Sequence, residues 1–134
     1  MLDISEAIIA EIIDFEIHVD DDATIGEAIG SVALSASMEI KVNEAYFVFG
    51  GPEAFLSIPN QGTDFFGHFV MRCMQTVGVT STREMEGELI KVIILDGKVM
   101  AIASLKDDVF FNPLTEFPLV KKSSHETSRY YGHD

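Results

Sequence analysis

The chain has 134 residues, 47% hydrophobic and 23% charged, the composition of one globular domain with room for a real core. Its formal net charge of −13 is unevenly placed: residues 1–60 hold twelve acids against the single base Lys41, and residues 61–134 hold ten against eight. The acidic first half repels phosphate, which excludes a broad nucleic-acid-binding face, and no apolar run reaches the roughly 20 residues of a membrane helix.

The first residues carry no basic n-region, and Asp3, Glu6 and Glu11 interrupt their apolar positions, so no secretory signal is expected. From Ile13 to Asp20 the pattern alternates: Ile13, Phe15, Ile17 and Val19 on one side, Asp14, Glu16, His18 and Asp20 on the other, as in a half-buried antiparallel strand. Ile4–Ile13 fits a helix stripe as well, and its β-branched density favours strand. Asp20-Asp21-Asp22 ends the run, because three adjacent like charges with turn-forming side chains do not sit inside a sheet. Val32, Leu34, Ala36, Met38 and Ile40 alternate with small or charged residues to make a second strand, and Ala45–Phe49 a third. Gly50-Gly51-Pro52 takes the chain out of the sheet, since Pro52 cannot donate to a ladder.

Thr63–Val79 is helical by period. Phe65, Phe66, Phe69, Val70, Cys73, Met74 and Val77 share one stripe, while Asp64, His68, Arg72, Gln75 and Thr76 lie opposite. Thr63 is placed to cap it and Gly78 to close it. Ser81 and Glu84 have capping-box spacing, opening one helical turn that Gly87 ends. Leu89–Leu95 and Lys98–Leu105 flank Asp96-Gly97, the signature of a two-residue type I′ hairpin. Leu89–Leu95 is nearly continuous in apolar residues, which predicts cover on both faces. Phe110 and Phe111 follow, then Asn112-Pro113. The polar residues 121–134 lack a period and read as a tail. The expectation is an α+β domain over residues 1–120: an antiparallel sheet of five or six strands with one main amphipathic helix packed on it through Phe65, Phe69, Val70, Cys73 and Val77.

Catalytic patterns are missing. His18, His68, His125 and His133 are scattered, with no HExxH, GxSxG or local Cys-His pairing. The Asp20-Asp21-Asp22 run lacks the alternating oxygens and distal Glu of a calcium loop, so no metal site is expected. Cys73, the single cysteine, sits on the apolar stripe as a buried, inert thiol, and its solitude fits a reducing cytoplasm. Neither an enzyme nor a cofactor is expected.

The order of features carries a resemblance. Phe49-Gly50-Gly51 follows a strand; Gly67–Met74, Val77-Gly78-Val79 and Gly87 come next; Ala101-Ile102, Lys106-Asp107, Phe110-Phe111-Asn112-Pro113 and Glu116-Phe117 close the series. Over residues 4–117 this resembles a group of small phage-encoded accessory proteins with F-G-G after a strand and a W-F-x-P-x-x-E-F-like ending. Phe110 stands where that group usually has Trp, and Ala103-Ser104 where it often has Gly-His. The group is similar in turn to the Thoeris anti-defence sponges, which bind cyclic ADP-ribose signals without cleaving them. The resemblance implies a non-enzymatic protein of the host-cell cytoplasm that counters host defence by sequestering a small nucleotide-like signal.

Two readings follow for the site. An anionic ligand would sit near Gly50 and Gly51, whose backbones free amides, with Arg72 and Lys106 as cations, Phe110 or Phe111 stacking on a base and Asn112 reading its edge. Alternatively the acidic residues 1–60 cover a basic host-protein surface, in the manner of a DNA mimic. The small-residue face of Val32–Ile40 also admits a homo-oligomer.

Overall fold

The structure, a computed structural model, describes residues 6–20, 33–57 and 64–119. Five strands, β1 (Ile8–Asp20), β2 (Ala33–Val42), β3 (Ala45–Gly50), β4 (Leu89–Leu95) and β5 (Lys98–Ala103), form one antiparallel sheet in the order β3-β2-β1-β4-β5. Helix α1 (Phe65–Val77) and a second helix, α2, over residues 113–119 complete an α+β fold. The proposed tail, 121–134, lies outside the described residues, as do Ile4, Asp21, Asp22, Val32 and Thr63.

β1 is strand throughout its described length, so the choice over Ile8–Ile13 goes to strand, and the run continues through Asp20. Its alternation is broken once. The register against β2 shifts between Ile12 and Asp14, leaving Ile13 as the extra residue of a bulge. Ala10 and Ile12 therefore face the core ahead of the bulge, and Phe15 continues that face after it. Ile17 and Val19, expected on the buried side, remain exposed because nothing among the described residues packs over that end of the strand. β2 behaves as its alternation predicts, with Ala36, Met38, Ile40 and Val42 buried.

Both hairpins follow from local chemistry. Asp96 and Gly97 have φ of 53° and 77°, the two left-handed residues of a type I′ turn. β5 ends at Ala103 rather than Leu105, and Phe111 then pairs with Ile102 through N–H···O bonds of 2.8 and 3.1 Å. Ile93, Ala101 and Ala103 are buried along with Val92 and Ile102, so β4 and β5 bury residues on both faces.

α1 starts at Phe65. Its cap is Asp64, whose Oδ1 accepts from the Gly67 N–H at 2.7 Å, and Gly78 (φ 88°) closes it by donating to Met74 O at 2.8 Å. Phe69 and Cys73 are fully buried; Phe65, Val70 and Val77 pack partly buried at the margin. Phe69 is the hub, with ring centroids of Phe55, Phe49, Phe111 and Phe15 at 4.9, 5.3, 5.6 and 6.4 Å. The edge strands β3 and β5 approach each other, so the sheet curls around this aromatic cluster like a partly open barrel.

α2 is an element the sequence reading leaves out. Asn112 caps it, accepting from the Leu114 N–H at 3.0 Å, and Pro113 occupies the first helical position, where its missing N–H costs nothing. Phe117 stacks on Phe65 at 4.6 Å and meets Phe55 edge-on at 5.3 Å. The polar face of α1 is consequently covered in part: His68 and Arg72 are partly buried and Thr76 is buried.

Candidate functional site

The residues of the expected anion site divide into two groups. Gly50, Gly51 and Asn112 line one groove. Gly50 and Gly51 carry φ of 86° and 91°, which other residues rarely adopt. A β-carbon on Gly50 would strike the Phe69 ring and lie 2.8 Å from Ala36 O. Asn112 spends its side-chain carbonyl on the α2 cap, so that oxygen is engaged by the backbone.

Arg72, Phe110, Phe111 and Lys106 do not line that groove. Arg72 Nε donates to Glu116 Oε1 at 3.0 Å and Nη2 to Oε2 at 3.2 Å, a two-pronged pair, while Nη1 donates to Gln75 Oε1 at 3.2 Å. Its guanidinium lies 5.1 Å from the Phe111 ring centroid, and His68 Nε2 donates to the same Glu116 oxygen at 2.9 Å. This cluster ties α1 to α2. Phe111 is completely buried, edge-on to Phe49 at 5.6 Å, and has no free face for a base. Phe110 is half-buried beneath Lys91, and Lys106 is exposed in the turn after β5. Cys73 lies at the centre of the core, where burial pushes its thiol well up and neighbouring Arg72 only partly opposes the shift.

The groove itself has a volume of about 1310 Å³, above the roughly 300–1,000 Å³ of sites for drug-sized ligands. It runs between the neighbouring edges of β3 and β5, with residues 46–50 of the one and 98–100 of the other in its lining. One wall is apolar, with Phe47, Phe65, Pro113, Leu114 and Phe117. Register puts Glu16 of β1 and Glu39 of β2 together on the other face of the sheet, and Glu53 after the glycine turn also lines the groove; all three are exposed. His18 and Ser37 share a hydrogen bond of 2.7 Å within it, and Lys98 at the start of β5 is its one Lys or Arg among the described residues. In that register Glu16 pairs with Ser37, Glu39 with Val48, and Ser37 with Gly50. A β-carbon on Gly51 would lie 3.5 Å from Ser37 Cβ and 3.9 Å from Val48 Cγ1, on the face of the sheet that carries Glu39.

The three glutamates were legible only as part of a general acidity. Glu16 and Glu39 occupy polar positions of alternating strands, a usable signal, but their convergence with Glu53 depends on strand order.

Comparison with known protein families, with curated proteins and with solved structures gives no match. The arrangement defines a class by geometry alone: an α+β domain with an apolar, acid-lined groove between two strand edges. Among the described residues no group of His, Cys, Asp or Glu is arranged to hold a metal.

Proposed function

We propose that this chain is a non-catalytic binding protein that docks on a basic protein surface through the acid-lined groove between β3 and β5. One observation carries the reading: Glu16, Glu39 and Glu53, all exposed, line one groove that also has an apolar wall. Such a surface steers and orients a cationic partner, while the apolar wall supplies area to bury. In the setting the resemblance implies, the partner is a host protein. Sequestration of a nucleotide-like signal draws less support, because Arg72 is neutralised by Glu116, Phe111 is enclosed and the Gly51 N–H is spent on Ala36 O at 2.7 Å.

The test is capture from host lysate by the immobilised full chain at rising salt, alongside the double variant E39K/E53K. The expected prey are basic proteins that elute as salt screens the glutamates and that the double variant fails to hold. Nucleotides released from the heated bait, or a prey set unchanged by the charge reversal, would overturn the reading.

A further inference from the structure

We propose that this chain forms a two-fold dimer in which residues 14–20 of β1 pair with the same residues of a second copy. β1 outruns its neighbour on one side. β4 pairs with it over Ile8–Glu11; then the Ile12 N–H donates to Glu88 O at 2.9 Å, and Ile12 O accepts from the Gly87 N–H at 2.7 Å. There Gly87, at φ 88°, turns the chain, and Met85 enters the core. On its opposite side β1 stays paired with β2 as far as Asp20. Among the described residues no strand pairs with the edge left over after Ile12.

Ladder phase decides what that edge presents. The two-residue turn makes Val42 and Ala45 a hydrogen-bonded pair, so even-numbered residues of β2 turn their backbone groups toward β3 and odd-numbered ones toward β1. Leu34 keeps this phase by exchanging two bonds with Ser57. Asp14, Glu16, His18 and Asp20, opposite Glu39, Ser37, Ser35 and Ala33, therefore bond to β2. Phe15, Ile17 and Val19 direct their N–H and C=O groups away from it. The Phe15 N–H takes the nearest side chain instead, donating to Asp14 Oδ1 at 2.9 Å. Ile17 and Val19 are 55% and 63% exposed, and open backbone beside exposed apolar side chains favours association.

One antiparallel register makes the edge complementary to itself. With Ile17 opposite the partner's Ile17, Phe15 meets the partner's Val19 on the same apolar side. On the polar side Glu16 faces the partner's His18, and symmetry repeats each contact. His18 Nε2 is engaged with Ser37 Oγ at 2.7 Å, which leaves Nδ1 for that carboxylate. Ile17 and Val19 supply four new backbone bonds, and two more form when the Phe15 N–H exchanges Asp14 for the partner's Val19. At each end Asp14 meets the partner's Asp20, a like-charge contact at the rim of the interface. Other centres are worse. Centring on Glu16 sets that carboxylate against its own copy and runs into the bulge at Ile13; centring on His18 sets Glu16 against Asp20.

Sedimentation equilibrium of the full chain at micromolar concentration tests this, at about 0.15 M salt, where a screening length of about 8 Å limits repulsion between two acidic copies. A doubled mass is expected. Glu16→Lys and His18→Glu each abolish the unlike pair and are expected to weaken the dimer at least tenfold alone. Mixed with each other, the two variants set unlike charges face to face at both contacts and are expected to recover it. Ile17→Cys is expected to form an interchain disulfide on mild oxidation, since hydrogen-bonded partners in a ladder stand about 5.5 Å apart at Cα. Val19→Cys, four residues out of register with its own copy, is expected to cross-link at least tenfold more slowly. Thermal melting checks that each variant folds, and the cysteine pair decides alone where a charge variant unfolds. A monomer across this range overturns the proposal. So does a dimer in which V19C cross-links as readily as I17C, or in which the mixed charge variants stay apart. The lysate test of the groove is separate, because it reverses Glu39 and Glu53.

Discussion

Gly50 and Cys73 show how single positions answer to their surroundings. Gly50 holds φ at 86° while the Phe69 ring and Ala36 O occupy the space a β-carbon needs. Gly50→Ala adds backbone strain to overpacking and is expected to cost at least about 2 kcal/mol in urea unfolding. The Cys73 thiol titrates well above its ordinary value because burial disfavours the thiolate. Folding thus favours the neutral thiol. That contribution is complete below the unfolded value of about 8.5 and is lost as pH rises through the higher folded value. Stability measured at alkaline pH is expected to fall with this slope in the native chain and less steeply in Cys73→Ala. Thiol labelling near neutrality is expected only under unfolding conditions.

Between elements, Glu116 is the joint. It accepts from Arg72 and from His68, drawing the polar face of α1 against α2, and Phe117 one residue on stacks with Phe65. Glu116→Ala leaves two partly buried donors without their acceptor and is expected to destabilise by about 1–3 kcal/mol. Far-UV circular dichroism with urea titration measures it, and a shift below about 0.5 kcal/mol would show that the pair is a surface contact of the weak kind. Arg72 was expected to face a ligand because helix periodicity put it opposite the apolar stripe. Periodicity locates a face; it does not reveal that a second helix covers it. Asn112-Pro113 is the signal that announces that helix, a capping residue followed by the residue best suited to the first helical position.

Across the whole molecule the excess of negative charge works against compactness. Asp14 and Glu39 stand directly opposite each other in the β1–β2 ladder, a like-charge pairing that costs stability. Raising ionic strength from about 0.01 M to about 0.1 M shortens the screening length from about 30 to about 10 Å, so the melting temperature is expected to rise over that range. A fall would mean that ion pairs such as Arg72–Glu116 and Lys91–Asp108 outweigh the repulsion. The same acidity keeps the groove negative, so a cationic partner is expected both to bind and to stabilise the fold by linkage.

What the sequence determined by itself is whatever depends on neighbours a few residues away. The 3.6-residue stripe from Phe65 to Val77, the left-handed turn at Asp96-Gly97, the alternation of β2 and the exit at Gly50-Gly51 are set by local backbone geometry and side-chain period. Tertiary structure decided the strand order, the bulge at Ile13 that rephases β1, and the reach of Glu116 across the chain to Arg72. It also decided that Phe111 closes the core while Glu16, Glu39 and Glu53 line one groove. Those outcomes turn on which surfaces bury against each other, and burial is settled by the packing of distant segments together.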